Sequence, residues 1–113
     1  FEKISFKKNK IKQTFCYIED CSDISIDQIK ILSDVVKANH KDSISVLLKH
    51  SKDIINCYVG VSKQCKHRYN AKQIIEELSK KFTSKGGGSP TFGTSVIPNQ
   101  DAKTVIDYLN KIL

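Results

Sequence analysis

The sequence predicts an α/β (α+β) domain: a mixed, mainly antiparallel central sheet of four or five strands covered by three helices. Three observations carry that reading. Residues 43–50 and 54–61 alternate side chains with the period of two that a pleated strand imposes, and a short polar link joins them. Three further stretches repeat apolar residues at helical spacing, each behind a residue type that caps helices. Between the second and third of these, a window at 85–94 holds four of the five glycines and one of the two prolines, which marks a break in regular structure.

Taken in order, residues 1–12 place Phe1, Ile4 and Phe6 before Lys7, Lys8, Lys10 and Lys12. They read either as a connector from an upstream domain or as an edge strand blunted by charge, with the domain proper at 13–113. Residues 14–18, rich in aromatic and β-branched side chains, form the first strand, and 20–23 the turn after it. Ser25 and Gln28 fit a capping box, and Ile26, Ile29, Leu32 and Val36, with Val35 beside them, predict a helix over about 26–39 that buries that stripe. Ile44, Val46 and Leu48 alternate with Ser45, Leu47 and Lys49, and Ile55, Cys57, Val59 and Val61 with Asn56, Tyr58 and Gly60. The link 50–53 makes these strands an antiparallel hairpin, and their apolar character puts them at the centre of the sheet. A basic loop, 63–69, precedes Asn70 and Gln73, a second cap signal, and a helix over about 71–83 carrying Ile74, Ile75, Leu78 and Phe82. After the glycine window, 92–97 form a short strand, 98–99 turn, and Asp101 caps a last helix with Val105, Ile106, Leu109 and Ile112.

A chain of 113 residues is long enough to bury the core of one domain. It begins at Phe1 with no signal peptide and no membrane-spanning apolar run, so it reads as a piece of a longer protein. The net charge of +7 calls for an anionic partner, and its distribution is uneven. Residues 1–40 hold seven Lys against six acids, 41–85 ten Lys and Arg against four, and 86–113 two against two. The middle segment therefore carries the excess. Cysteines at 16, 21, 57 and 65 show neither zinc-ligand nor redox spacing. Cys16 and Cys57 read as small core hydrophobes, which suits a reducing, cytoplasmic or organellar compartment. No nucleophile elbow, His-Glu-x-x-His or apolar carboxylate pair is present, so no catalytic residue and no metal site is assigned. His40, His50 and His67 sit in polar loops or strand ends.

The window itself runs Lys85-Gly86-Gly87-Gly88-Ser89-Pro90-Thr91-Phe92-Gly93-Thr94. Three successive residues without a Cβ are useful where the main chain takes positive φ or lets another backbone come into contact. Read as a turn with bared amides, it makes an anion nest, with Lys85 and Ser89 adding a charge and a hydroxyl; read blandly, it is a flexible turn between helix and strand. No Gly-Lys-Ser/Thr follows, which excludes the nucleotide P-loop.

In sequence, several runs resemble the C-terminal (C-Ala, DHH-associated type) domain of alanyl-tRNA synthetase, a relative of the domain that accompanies DHH-type phosphoesterases. Asn9-Lys10-Ile11-Lys12 leading into 15–19 resembles its opening strand, and 24–36, with Leu32-Ser33-Asp34, its "L-x-D" helix. Ser45-Val46-Leu47-Leu48 and Cys57-Tyr58-Val59-Gly60-Val61-Ser62-Lys63 resemble its hairpin, which ends in "V-x-V-S-K". Tyr69-Asn70-Ala71-Lys72-Gln73-Ile74-Ile75 resembles its "N/H-A-x-x-L-V" helix start, and Gly86 to Phe92 its "G-G-G-x-P-x-x-A-x-A-G-G" motif. That motif departs from the family after Phe92, where Gly93-Thr94-Ser95-Val96-Ile97 lacks the second glycine pair. Phosphoesterase relatives carry a histidine after the glycines, where this chain has Ser89-Pro90, which favours the synthetase branch.

The resemblance implies a domain without chemistry or cofactor of its own, which grips the outer corner of alanine-specific tRNA and so assists upstream aminoacylation and editing domains. ATP, and zinc as a further candidate, would belong to the parent ligase. Lys63, Lys66, Arg68, Tyr69, Lys85, Gly86, Gly87, Gly88 and Ser89 are the RNA-contact candidates. Lysines meet phosphates as point charges, Arg68 offers a planar fork, and Tyr69 either stacks a base or packs on the sheet. Two alternatives stay open: the substrate-binding half of a DHH-type phosphoesterase, and an oligomerisation module making a homodimer, marked by an exposed apolar patch on the last helix.

Overall fold

A computed structural model of the chain describes residues 15–51, 53–63, 70–82, 84–98 and 100–112. The expected connector or edge strand at 1–12 lies outside them. The elements run β1 (Phe15–Asp20), α1 (Ile26–Asn39), β2 (Ser43–Ser51), β3 (Ile54–Val61), α2 (Ala71–Phe82), β4 (Lys85–Gly88), β5 (Phe92–Pro98) and α3 (Ala102–Ile112). The five strands form one sheet in the order β1-β2-β3-β5-β4. β1 and β2 are parallel and joined through α1, as a parallel pair requires a crossover, and the remaining pairs are antiparallel.

The period-two pattern decides which face each side chain takes. Ile44, Val46 and Leu48 of β2 and Ile55, Cys57, Val59 and Val61 of β3 share one face, where Ile74, Ile75 and Leu78 of α2 and Val105 and Leu109 of α3 cover them. Tyr17, Leu47 and Tyr58 share the other, against Ile29, Leu32 and Val36 of α1. β3 is the central strand, with β2 beside it. Phe82 and Tyr108 meet edge to face at 5.4 Å between ring centroids and tie α2 to α3. Cys57 is a core residue as expected; the side chain of Cys16 and the whole of Cys65 lie outside the described residues.

The helix starts are those the cap residues dictate. Ser25 Oγ accepts from the Gln28 amide at 3.2 Å, and Gln28 Oε1 accepts from the Ser25 amide at 3.0 Å, closing both halves of the capping box. Asn70 Oδ1 accepts from the amides of Lys72 (2.9 Å) and Gln73 (3.4 Å), and Asp101 Oδ1 from that of Thr104 (2.8 Å). Hydrogen bonds from Thr104, its hydroxyl first and its amide second, hold Asp101 below the usual carboxylate range.

Three expectations are corrected. Ile26 and Val35 are not on the buried stripe of α1: they are 41% and 40% exposed, and Ser33 takes the inward position instead. Ser33 meets the sheet through a hydroxyl contact with Ser45 at 3.3 Å, at a spot where a Cβ on Gly60 would come within 2.5 Å of the Ser33 oxygen. Small side chains let α1 sit close there, and the inward stripe turns with them. Second, the glycine run is a strand and not a turn, since Lys85–Gly88 pairs with β5 as the sheet's edge. A Cβ on Gly86 would strike the Thr94 carbonyl and Ser95 Cα, and one on Gly88 the Gly93 Cα and Phe92 carbonyl. None of the glycines occupies the positive-φ region, so the run is explained by close backbone approach, and the backbone approached is β5. Third, the large exposed hydrophobic side chains among the described residues are Ile26, Ile31, Val35, Ile54 and Val96, on α1 and the sheet; those of α3 pack on the core.

Candidate nucleic-acid interface

One end of the sheet gathers the C-terminus of β3, the N-terminus of β5, the turn after β4 and the last turn of α1. A cleft of about 400 Å³ opens there, lined by Lys37, Ala38, Lys41, Val61, Ser62, Lys63 and Thr91. Capping fixes where α1 begins, and its length then brings Lys37 in the last turn, and Lys41 just past the extended C-cap His40, to this end. β3 runs antiparallel to β2 and delivers Ser62 and Lys63 to the same place. Ser62 is buried and held by the β2 start, its Oγ accepting from the Ser43 amide at 3.0 Å.

The wall opposite the lysines is the turn at 89–91. Thr91 O accepts from the Val61 amide at 2.9 Å and from Lys37 Nζ at 3.2 Å. Pro90 O accepts from the Ala71 amide at 2.9 Å, and Ser89 N donates to Phe92 O at 2.8 Å. The main-chain groups of this turn are thus tied to β3, α2 and β5, which makes it a rigid wall. Ser89 Oγ accepts from the Phe92 amide at 3.3 Å, so this hydroxyl closes the turn. Lys37 lies 5.7 Å from the centre of the Phe92 ring, a cation–π distance. Partial burial lowers its pKa below the ordinary lysine value, against the opposing pull of the Asp34 carboxylate. Lys41 and Lys63 are exposed. Three lysines therefore line a walled hollow, and their positive charge lowers the energy of an anion placed there.

Of the residues predicted as contacts, Lys63 lines the cleft, and Ser89 builds the turn that forms its wall. Gly86, Gly87, Gly88 and Lys85 run away from it along the exposed edge of β4, with Lys85 opposite Val96 at the far end, so the expected basic rim does not include Lys85. Lys66, Arg68 and Tyr69 lie outside the described residues. The sequence reading missed Lys37 and Lys41. The two lysines that flank the end of a well-capped helix were the available signal, but nothing in the sequence says which strand end that helix meets. Among the described residues, no three His, Cys, Asp or Glu side chains come together to hold a metal ion, and no helix is long and apolar enough to cross a membrane.

No family model matches the chain. It is 38% identical over 85 residues to the alanine–tRNA ligase of Fervidobacterium nodosum, and 27% identical over 93 residues to that of Pseudothermotoga lettingae. These matches take in 74% and 81% of this chain but 9% and 11% of the ligases, so the chain spans about a tenth of the length of the curated relatives it matches. The crystal structure of the C-Ala domain from Aquifex aeolicus alanyl-tRNA synthetase superposes with a TM-score of 0.71 at 23% identity, covering 88% of this chain and 89% of that one. This chain has the C-Ala fold. A DHH-domain protein described as belonging to a family of ribosomal proteins superposes less well, with a TM-score of 0.60 at 20% identity over 87% of this chain and 25% of that one.

The sequence matches and the fold both agree with the resemblance to the C-Ala domain of alanyl-tRNA synthetase. In this C-Ala fold the "V-x-V-S-K" run is the end of β3 and supplies Val61, Ser62 and Lys63 to the cleft. The "G-G-G-x-P" run is β4 with its turn and supplies Thr91. The end of the first run and the turn that follows the second, about 25 residues apart in the chain, meet at one hollow.

Proposed function

We propose that this chain is the C-Ala domain of an alanine–tRNA ligase and that it binds tRNA through the cationic end of its sheet. The observation that carries the reading is the convergence of Lys37, Lys41 and Lys63 on a hollow built by the two family motifs. Point charges on flexible stems suit phosphate oxygens, whose contacts position a nucleic acid without reading its sequence. Lys66, Arg68 and Tyr69 follow Lys63 in the chain and extend the same basic stretch, with Arg68 as a phosphate fork and Tyr69 as a stacking surface. Along β4, Gly87 is the glycine that close approach to β5 does not call for, and it and the exposed Lys85 are assigned to RNA as well.

In this reading the domain performs no reaction and takes no cofactor. Its binding energy holds the outer corner of alanine-specific tRNA and raises the effective concentration of the acceptor end at the aminoacylation and editing domains of the same ligase, where ATP is used. The test is a gel shift of the chain with whole tRNA and with a minihelix that lacks the outer corner. Retention of whole tRNA and at least tenfold weaker retention of the minihelix is expected. Equal affinity for the two would overturn the assignment to the corner.

A further inference from the structure

The cleft at the cationic end of the sheet holds more than a phosphate needs. At about 400 Å³ it has the size of a site for a small organic molecule, whereas a backbone phosphate meets a surface lysine without entering a cavity. Its three lysines are also unlike. Lys41 and Lys63 are exposed at the rim, but Lys37 is partly buried and pinned across the cleft, its Nζ donating to Thr91 O at 3.2 Å and lying 5.7 Å from the centre of the Phe92 ring. An ammonium has three donors, and that bond uses one of them. Lys37 and Ala38 stand in the last turn of α1, whose carbonyls form the negative end of the helix dipole, so a phosphate is held at the rim and not drawn inward. The interior is polar as well. Ser62, which lines it, is buried, and Ser43 beside it is 1% exposed. The two are tied by a pair of hydrogen bonds of 3.0 Å through the Ser43 and Ser62 amides, while Ser43 Oγ has no partner among the described residues.

We infer that the cleft takes one unpaired nucleotide turned out of the RNA, with its phosphate at Lys41 and Lys63 and its base inside, against Lys37. The inference rests on the RNA reading of this end of the sheet and names the part of the RNA that enters. A base has apolar faces and an edge that carries both donors and acceptors. The interior matches it group by group: the hydrocarbon stem of Lys37 for a face, the two remaining Lys37 donors for a carbonyl or ring nitrogen, and the carbonyl end of α1 for an amino group. A base inside a duplex has its edge paired and its faces stacked, so a duplex reaches only the rim, whereas an unstacked nucleotide can enter. The wall at 89–91 is already tied to β3, α2 and β5, so the site is formed before the ligand arrives and little ordering opposes binding. Phosphate contact at Lys41 and Lys63 then supplies charge attraction, and the interior supplies a preference for single-stranded over paired RNA.

NMR titration of the 15N-labelled 113-residue chain with the nucleoside 5′-monophosphates of the RNA bases, and separately with ribose 5-phosphate, tests it. At least one monophosphate is expected to bind about tenfold tighter than ribose 5-phosphate, with its shifts centred on the amides of residues 37–41, 61–63 and 91–92. Lys37→Met keeps the stem and removes the donors, and is expected to abolish most of that preference, with the dispersion of its amide spectrum verifying that it is folded. Lys41→Ala with Lys63→Ala weakens both ligands and leaves their ratio unchanged. Monophosphates that bind no tighter than ribose 5-phosphate, shifts centred elsewhere, or a preference undiminished in folded Lys37→Met would each overturn the inference. Whole tRNA retained by a chain that shows no such preference sinks this inference alone, whereas nucleotides bound here by a chain that does not retain tRNA contradict the proposed function and leave the nucleotide site standing.

Discussion

Gly86, Gly87 and Gly88 look alike in sequence and are distinct in the structure. A Cβ on Gly86 or Gly88 runs into the main chain of β5, whereas one on Gly87 meets nothing within 4 Å, and none of the three needs a positive φ. Gly86→Ala and Gly88→Ala are therefore expected to cost about 1–3 kcal/mol each, as overpacking does. Gly87→Ala leaves stability unchanged or raises it by up to about 1 kcal/mol through the lost entropy of glycine. Urea unfolding of the three variants checks this, and equal losses at all three positions would contradict it. Because Gly87→Ala spares the fold, it is also the variant whose tRNA affinity separates a ligand-facing edge from a merely structural one. Close backbone approach was legible in the triplet of glycines. That the approaching backbone is β5 was not, because pairing between strands is a property of chain return and not of local composition.

At the level of elements, legibility followed how local the determining interactions are. The bounds of α1 and α2 were readable since Ser25 with Gln28 and Asn70 with Gln73 fix helix starts within one turn of sequence. The inward face of α1 was read one step wrong at Ile26 and Val35, because the seam with Ser33, Ser45 and Gly60 is made between elements far apart in the chain. The central strand β3 also carries a titratable group. Burial pushes the Cys57 thiol from an ordinary value of 9.0 up to about 12, so the folded state holds that proton where the unfolded chain releases it. The stabilisation is complete below pH 9 and is lost as pH rises from 9 toward 12, at up to about 1.4 kcal/mol per pH unit. Cys21, pushed to about 11 chiefly by burial and then by the nearby Glu19 carboxylate, acts in the same direction. Cys57→Ala is thus expected to be less stable than the parent at pH 7 through lost packing, with a deficit that shrinks at pH 10 and 11. Denaturant titrations across that range measure it, and a deficit independent of pH would contradict the assignment.

Taken whole, the molecule separates two kinds of surface at the ends and sides of one sheet: a cationic hollow where β3, β5 and α1 end, and an apolar, mildly acidic face along the outside of α1. Charge distribution along the sequence pointed to 41–85 as the basic region, and Lys41 and Lys63 do belong to it. Lys37 comes from a segment that is nearly neutral, and only the fold brings it across. The most direct test of the cationic end as the tRNA site is the salt dependence of binding, compared between the parent and the Lys37→Ala, Lys41→Ala, Lys63→Ala triple variant. Each neutralised phosphate releases counterions, so the parent's log–log plot of affinity against salt should be steep, and the variant's slope should be shallower by about two to three units. An unchanged slope in a folded triple variant would contradict the assignment of tRNA to this end of the molecule.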